Sequence, residues 1–185
     1  MQPVKQTLAE LFEGQLVYIV PTYQRLYIWN QEDQWEPLWS DVLEITTSLT
    51  NDAISRSCNK INTESVEPHF LGAIVLKRSG TTPDLAKQSR VIDGQQRITT
   101  LQLLVVVAAA QLQRAGLDFT SRRLKQLTLN ATDSHSTHNQ RYKIDHHLYK
   151  LGDDYEQFPK IMSAAINGTA TDKVQRPMSE CYSFF

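Results

Sequence analysis

The sequence predicts an α+β fold in which short strands surround one buried helix. The apolar run Phe70–Leu76 is consistent with a buried strand, and Arg90–Ile92 is a second short strand. Residues Thr99–Ala115 are helical in pattern and apolar nearly all round, which is typical of a helix at the centre of a fold. Because the strands are few and short and the order of elements is mixed, the class is α+β with additional helices.

The N-terminal part of the chain contains signals for two helices and one strand. Residues 7–10 (TLAE) form a capping-box pattern and Gly14 suits the end of a short first helix. Residues 16–20 are β-prone and Pro21 stops that strand. A second helix starts near Glu36 or kinks at Pro37. Its apolar residues recur at helical spacing: Trp35, Leu38, Trp39, Val42 and Leu43.

The rest of the chain adds further helices and loops. Polar, aperiodic sequence predicts loops at 51–66 and 130–140. Helical segments are predicted at 118–129 and, more weakly, at 153–165.

Composition places the chain among ordinary globular proteins. It has 185 residues, 41% of them hydrophobic, which is enough for one domain with a core. The longest strongly apolar run, Leu103–Ala110, is too short to span a bilayer, and no signal peptide is visible at the start. The two cysteines, Cys58 and Cys181, form no zinc pattern and exclude a disulfide framework. We therefore expect a soluble, cytoplasmic protein that does not enter the membrane.

The net charge of −1 is unevenly distributed along the chain. Residues 1–52 hold two bases and eight acids, a balance of −6, whereas residues 53–150 hold fourteen bases and seven acids, a balance of +7. The tail contributes −2. A basic middle section suits an anionic ligand, although it is equally consistent with an ordinary solvated face.

The segment Val91–Leu101 carries the strongest chemical signal. A strand ends, Gly94 permits a tight turn, and a helix begins, so backbone N–H groups at the helix start favour a phosphate. Arg97 can donate two hydrogen bonds to phosphate oxygens, and Asp93 can hold Mg²⁺ or orient a water. The two threonines Thr99 and Thr100 can cap the helix or donate to an oxygen. The alternative is a capped turn closed by an Arg–Asp ion pair.

The segment Val20–Trp29 interleaves aromatic residues with an arginine directly after a strand. Aromatic faces stack on bases and arginine contacts phosphate, so Tyr23, Gln24 and Arg25 are candidates for a nucleic-acid or nucleotide site. Tyr27 and Trp29 can instead fill the core, which we expect for Trp29.

Other polar clusters are weaker. The loop histidines His135 and His138 do not make a convincing metal site, because convergent ligands are missing from the pattern. The basic clusters at 77–78 and 122–125 can contact a nucleic-acid backbone, but solubility is the simpler role.

Three segments together resemble one family. Pro21–Trp29, Phe70–Leu76 and Val91–Leu101 match, in order, spacing and content, the N-terminal domain of GmrSD-type restriction proteins. The resemblance covers the chain from about Leu8 to its last residue and is looser after residue 141. It implies a single domain over residues 1–185 with a ParB/sulfiredoxin-like core.

The resemblance also implies functional roles. In characterised members, including the phosphorothioate-sensing SspE type, the Asp-Gly-Gln-Gln-Arg motif serves nucleotide binding and hydrolysis. By this resemblance, Asp93, Gln95 and Arg97 would be catalytic, and Gly94 and Gln96 would bind nucleotide. Thr99 and Thr100 would join the nucleotide site. The Tyr23-Gln24-Arg25 segment would line the same pocket and sense DNA, which is modified in the SspE type.

We therefore expect a nucleoside triphosphatase module with Mg²⁺ held through Asp93, acting in phage defence. A C-terminal or separate HNH nuclease would cut the DNA, and we expect this chain to be shortened before that domain. Exposed Phe184 and Phe185 would favour a homodimer. Two alternatives stay open: a non-catalytic ParB-like module that binds DNA or nucleotide, and a scaffold that only holds a nuclease.

Overall fold

A computed structural model gives the fold of the chain. It describes residues 3–14, 16–21, 23–55, 68–78, 87–130, 144–146, 154–167 and 177–185. The loop predicted at 130–140 and its histidines lie almost entirely outside these ranges, as does Thr22. The described chain divides into two compact units: unit 1 comprises residues 1–28, 73–183 and 185, and unit 2 comprises residues 29–72 and Phe184.

Unit 1 is built on a four-stranded mixed sheet. Its strands are β1 (Leu16–Val20), β2 (Val75–Arg78), β3 (Lys87–Asp93) and β4 (Ile144–His146), in the order β2-β3-β1-β4. β1 pairs in parallel with both β3 and β4, whereas β2 pairs antiparallel with β3. The carboxyl ends of β1 and β3 therefore lie at the same edge of the sheet.

Five helices accompany this sheet, and the longest one forms the centre of the core. They are α1 (Leu8–Phe12), α3 (Gln95–Arg114), α4 (Asp118–Gln126), α5 (Asp154–Asn167) and α6 (Met178–Phe184). Thirteen of the twenty residues of α3 are buried, which confirms the prediction of a central helix. The mixed α+β class is likewise confirmed.

The start and the end of the first helix both agree with the sequence prediction. Thr7 and Glu10 form a reciprocal capping box, in which each side chain accepts from the other residue's backbone N–H. Gly14, at φ 78°, follows the helix in the left-handed region that glycine adopts without strain.

The strand predicted at Phe70–Leu76 is displaced toward the C-terminus. Phe70 is 80% exposed, and pairing begins only at Val75. Gly72 at φ 103° interrupts the extended backbone, and the carbonyl of Ala73 bonds a side chain instead of a neighbouring strand. The apolar run is therefore mostly a loop segment that leads into β2.

Unit 2 consists of a five-residue π-helical turn, Gln31–Trp35, and the helix α2 (Glu36–Ser55). The helix starts at Glu36, one of the two predicted alternatives, and runs past residue 51, where a loop was predicted. Near its end the hydroxyls of Thr46, Thr50 and Ser55 each donate to the carbonyl four residues earlier, so these polar side chains are satisfied within the helix.

The two phenylalanines at the end of the chain are less exposed than the sequence predicts. Phe184 and Phe185 are both half-buried, and the Phe184 ring lies 6.0 Å from the ring of Trp35. This contact covers apolar surface that the homodimer prediction needed to be accessible.

Candidate functional site

Gly94 forms the sharp junction between β3 and α3. Its backbone lies at φ 91° and ψ 14°, in the left-handed region. A Cβ at this position would lie 3.1 Å from Cγ1 of Ile74 and 3.2 Å from the carbonyl oxygen of Ala73. Both the backbone angle and the close approach therefore require glycine at this turn.

The helix α3 begins at Gln95, four residues earlier than predicted, with Gly94 at its N-cap. Glycine has no side chain to satisfy the first N–H groups, and no side-chain cap bond is present. Thr99 and Thr100 lie inside the helix and are fully buried, so the prediction that they cap its start is wrong. The junction is an uncapped helix start with partial positive charge.

The turn that carries Tyr23, Gln24 and Arg25 lies at the same edge of the sheet. The backbone N–H of Gln24 donates to the carbonyl of Pro21 at 3.1 Å and closes the turn. Its side-chain Nε2 donates to the carbonyl of Ile92 at 2.9 Å, next to the end of β3. Tyr23 is 67% exposed and Arg25 is exposed, so both side chains are accessible to a ligand.

Gln96 holds the segment that follows this turn. Its Nε2 donates to the carbonyl of Leu26 at 2.9 Å, and its Oε1 accepts from the N–H of Ile28 at 2.8 Å. Gln96 is 7% exposed and its two bonds are partly buried, so its amide supplies the backbone partners that a neighbouring strand would otherwise have supplied. The two sequence signatures are thus joined directly, by Gln24 in one direction and Gln96 in the other.

Arg97 is half-buried beside the junction. Its guanidinium donates to the carbonyl of Ala73 at 2.7 Å, which fixes the chain entering β2. This bond uses one of the five N–H donors of an arginine. The predicted Arg–Asp ion pair with Asp93 is not among the salt bridges of the described residues.

Gln95 contributes a buried polar group without a partner. The residue is 3% exposed, and its Nε2 makes no hydrogen bond, although its Oε1 accepts from Gln96 at 3.3 Å. A buried amide donor that is left unsatisfied costs about 1–3 kcal/mol. Such a group is a reason to expect a ligand or water at this position.

Thr100 belongs to a buried polar column behind the junction. Its Oγ1 donates to the carbonyl of Gln96 at 2.9 Å and lies 2.6 Å from the hydroxyl of Tyr27. The same hydroxyl lies 3.4 Å from Sγ of Cys181. Burial raises the pKa of the Cys181 thiol to about 12, and the hydrogen bonds from Tyr27 and Thr100 oppose this only partly. The thiol is therefore protonated at neutral pH and is no nucleophile.

Asp93 is exposed at the end of β3 and supplies the carboxylate that Mg²⁺ would need. Among the described residues, no group of three or more His, Cys, Asp or Glu side chains could hold a metal ion. These residues therefore fit a Mg²⁺ ion that would be held by one carboxylate together with waters and substrate phosphates.

The structure brings most of the predicted residues together and reveals partners that the sequence did not indicate, two of which are the Ile28 N–H and the Ile92 carbonyl. Asp93 to Arg97 and the Tyr23-to-Arg25 turn meet at the edge where β1 and β3 end. Other unforeseen partners are the Ala73 carbonyl, the Leu26 carbonyl, the Tyr27 hydroxyl and the Cys181 thiol. Tyr27 is 1% exposed and its alternation with Trp29 was the available signal for a core position.

These features define an α+β domain whose central parallel strands end at an uncapped helix start, flanked by an exposed aromatic and an arginine. Family comparison then assigns the domain: the model for the GmrSD restriction endonuclease, N-terminal domain, matches residues 8–185, and the chain belongs to this family. It is therefore a component of a phage-defence restriction system. A search of curated proteins found no match. In the described part of the chain, no helix has both the length and the apolarity to cross a membrane.

Proposed function

We propose that this domain binds a nucleoside triphosphate at the β3–α3 junction, hydrolyses it, and thereby regulates DNA cleavage in its restriction system. The observation that carries the proposal is the unpartnered, buried amide of Gln95 beside the uncapped start of α3. The Gln95 amide and the backbone N–H groups of the first turn are two kinds of N–H donor at this helix start, where backbone dipoles already favour an anion.

Arg97 would stabilise negative charge on the phosphates. Its guanidinium is held by the Ala73 carbonyl, so its position is fixed before a ligand arrives. A preorganised donor of this kind strengthens most as charge develops in the transition state. Gln95 would donate its Nε2 to a phosphate oxygen, which removes the cost of leaving that group unsatisfied.

Asp93 would orient the attacking water or hold Mg²⁺, which would neutralise phosphate charge when bound. Gln96 has another task, because its amide is already used by Leu26, Ile28 and Gln95. It would keep the Tyr23–Arg25 turn at the site. There, Tyr23 could stack on a base and Arg25 could contact phosphate, in a nucleotide or in DNA.

Phosphate release by wild type and two variants tests this assignment. Arg97→Ala should lower the turnover about 10²-fold or more, since it removes a charged donor from the transition state. Arg114→Ala, at the exposed other end of the same helix, should leave turnover unchanged. If Arg97→Ala is folded and releases phosphate at the wild-type rate, the assignment of Arg97 is refuted.

Arg97→Lys separates charge from geometry. Lysine keeps the charge and can donate to the Ala73 carbonyl, but it lacks the planar fork of donors. We expect it to retain the fold and remain well below wild type in turnover. Full activity in Arg97→Lys would show that a point charge is sufficient.

One observation favours a second candidate, a ParB-like module that binds nucleotide or DNA without turnover. Gln96 and Arg97 both make structural hydrogen bonds, so part of the motif is explained without chemistry. Calorimetric titration with nucleotides, with and without Mg²⁺, distinguishes the two. Tight binding without phosphate release would support the second candidate and refute hydrolysis. The scaffold alternative predicts no binding of nucleotide or DNA.

A further inference from the structure

Three exposed cations lie on the antiparallel pair formed by β2 and β3. Lys77 is directly opposite Arg90 in the register, and Arg78 follows on the same strand. All three side chains are exposed. Directly opposed residues of an antiparallel pair have their side chains on one face, with Cβ atoms about 5 Å apart.

The opposition of Lys77 and Arg90 is unfavourable in the isolated domain. Like charges directly across a strand pair are destabilising, and no salt bridge to either residue occurs among the described residues. Asp93 lies three residues beyond Arg90, past the register shift between β2 and β3, and among the described residues it forms no salt bridge with Lys77 or Arg90.

Protection of the sheet edge explains only part of this pattern. Charged residues on an edge strand prevent strands of other molecules from pairing with it, which accounts for Lys77 and Arg78 on β2. Arg90 lies on β3, which has β2 on one side and β1 on the other. An inner strand needs no such protection, so Arg90 indicates a different role.

Lys77 and Arg90 lie on the side of the sheet that leads to the Tyr23–Arg25 turn, here called the sensing turn. This position indicates that the pair and the turn contact the same ligand. Ile92 lies two residues beyond Arg90, on the same face and about 7 Å along the strand. It is 40% exposed, and its carbonyl accepts the hydrogen bond from Gln24. The two cations therefore lie close to the turn that carries Tyr23 and Arg25.

We infer that Lys77 and Arg90 form a contact for the phosphate backbone of double-stranded DNA and so position DNA at the sensing turn. The inference rests on the DNA-sensing part of the proposed function, and it is independent of hydrolysis. An anionic backbone converts the repulsion between the two side chains into two favourable contacts. Phosphate contacts of this kind position a protein on DNA without reading sequence.

Binding of an unmodified duplex of about 20 base pairs to the full chain, without nucleotide, tests the inference. Fluorescence anisotropy is measured at several salt concentrations between about 50 and 200 mM. Log K falls as log salt rises, and each lost phosphate contact makes this slope shallower by about 0.9. The double variant Lys77→Gln/Arg90→Gln should therefore make this slope shallower by about 2. It should weaken binding most at low salt.

Arg122→Gln/Arg123→Gln is the matched control. Both arginines are exposed on α4 next to Ser121, which bonds the carbonyl of Ala109, about 20 Å of helix away from the start of α3. The control removes the same charge and should leave the slope unchanged. An equal fall in both variants would show a general charge effect and overturn the inference, as would a wild-type slope in Lys77→Gln/Arg90→Gln.

Two further measurements complete the test. The melting temperature of Lys77→Gln/Arg90→Gln at low salt should equal or exceed that of wild type, so lost binding cannot be assigned to unfolding. A poly-glutamate peptide that binds through Lys77 and Arg90 when the duplex does not would identify an acidic protein partner and refute DNA. The DNA-binding measurement contains no nucleotide, so it stays valid if Arg97-dependent phosphate release is not found. Likewise, failure of the DNA-binding test does not affect the phosphate-release test.

Discussion

Replacement of Gly94 by alanine should destabilise the domain through two separable effects. The first is the left-handed backbone at φ 91°, which costs a non-glycine residue about 1–2 kcal/mol. The second is crowding, because the new Cβ would lie 3.1–3.2 Å from Cγ1 and Cα of Ile74 and from the carbonyl oxygen of Ala73. Two of these atoms belong to the backbone and cannot rotate away, so overpacking adds about 1 kcal/mol. The expected loss is about 2–3 kcal/mol.

Gly116→Ala is the matched control for this prediction. Gly116 has a similar left-handed backbone, φ 76°, but nothing lies within 4 Å of a Cβ built there. It should therefore show the backbone cost alone, about 1–2 kcal/mol. Urea denaturation followed by circular dichroism measures the free energy of unfolding of both variants. Equal losses in the two variants would refute the argument that close approach at the β3–α3 junction requires glycine.

Three other predictions concern buried polar groups. Gln96→Leu should cost about 1 kcal/mol in urea denaturation, because the partly buried backbone groups of Leu26 and Ile28 lose their partner, whereas exposed Gln111→Leu should change little. Burial raises the pKa of Tyr18 from 10.0 to about 12, so the folded state keeps a proton that the unfolded chain loses. Tyr18 should therefore lower stability as pH rises from 10 toward 12, in addition to the loss that Cys181 causes from pH 9 upward, and Tyr18→Phe should make the fall above pH 10 smaller; an unchanged pH profile would contradict the assignment. Alkylation of Cys181 at pH 8, mapped by mass spectrometry, should be slow in the folded chain and rapid in urea, since the thiol is buried with its pKa raised to about 12; rapid labelling of the folded chain would contradict it.

The sequence is most informative where local patterns determine local structure. The capping box at Thr7–Glu10 and the central position of α3 follow from spacing and apolarity, and the structure confirms both. The glycine turn after β3 is also visible in the sequence, because a strand, a glycine and a helix succeed one another within a few residues. Such features depend on neighbours along the chain.

The failures arise where distant residues compete with local preference. The apolar run at Phe70–Leu76 has strand composition, but the guanidinium of Arg97 takes the carbonyl of Ala73, and Gly72 turns the chain. α3 starts four residues before the predicted position because Gln95, Gln96 and Arg97, although good helix formers, lie outside the apolar pattern that predicts the helix. The bonds of Gln96 to Leu26 and Ile28, and of Arg97 to Ala73, could not be read from residue order.

The bonds of Gln96 to Leu26 and Ile28 join segments that are 68–70 residues apart in the chain. A ribosome must therefore synthesise β3 and the first turn of α3 before β1 can find its parallel partner. Until then, Leu16–Val20 is an unpaired apolar segment, and parallel pairing across so long a separation forms slowly. The two halves of the site should therefore form in the same late folding step.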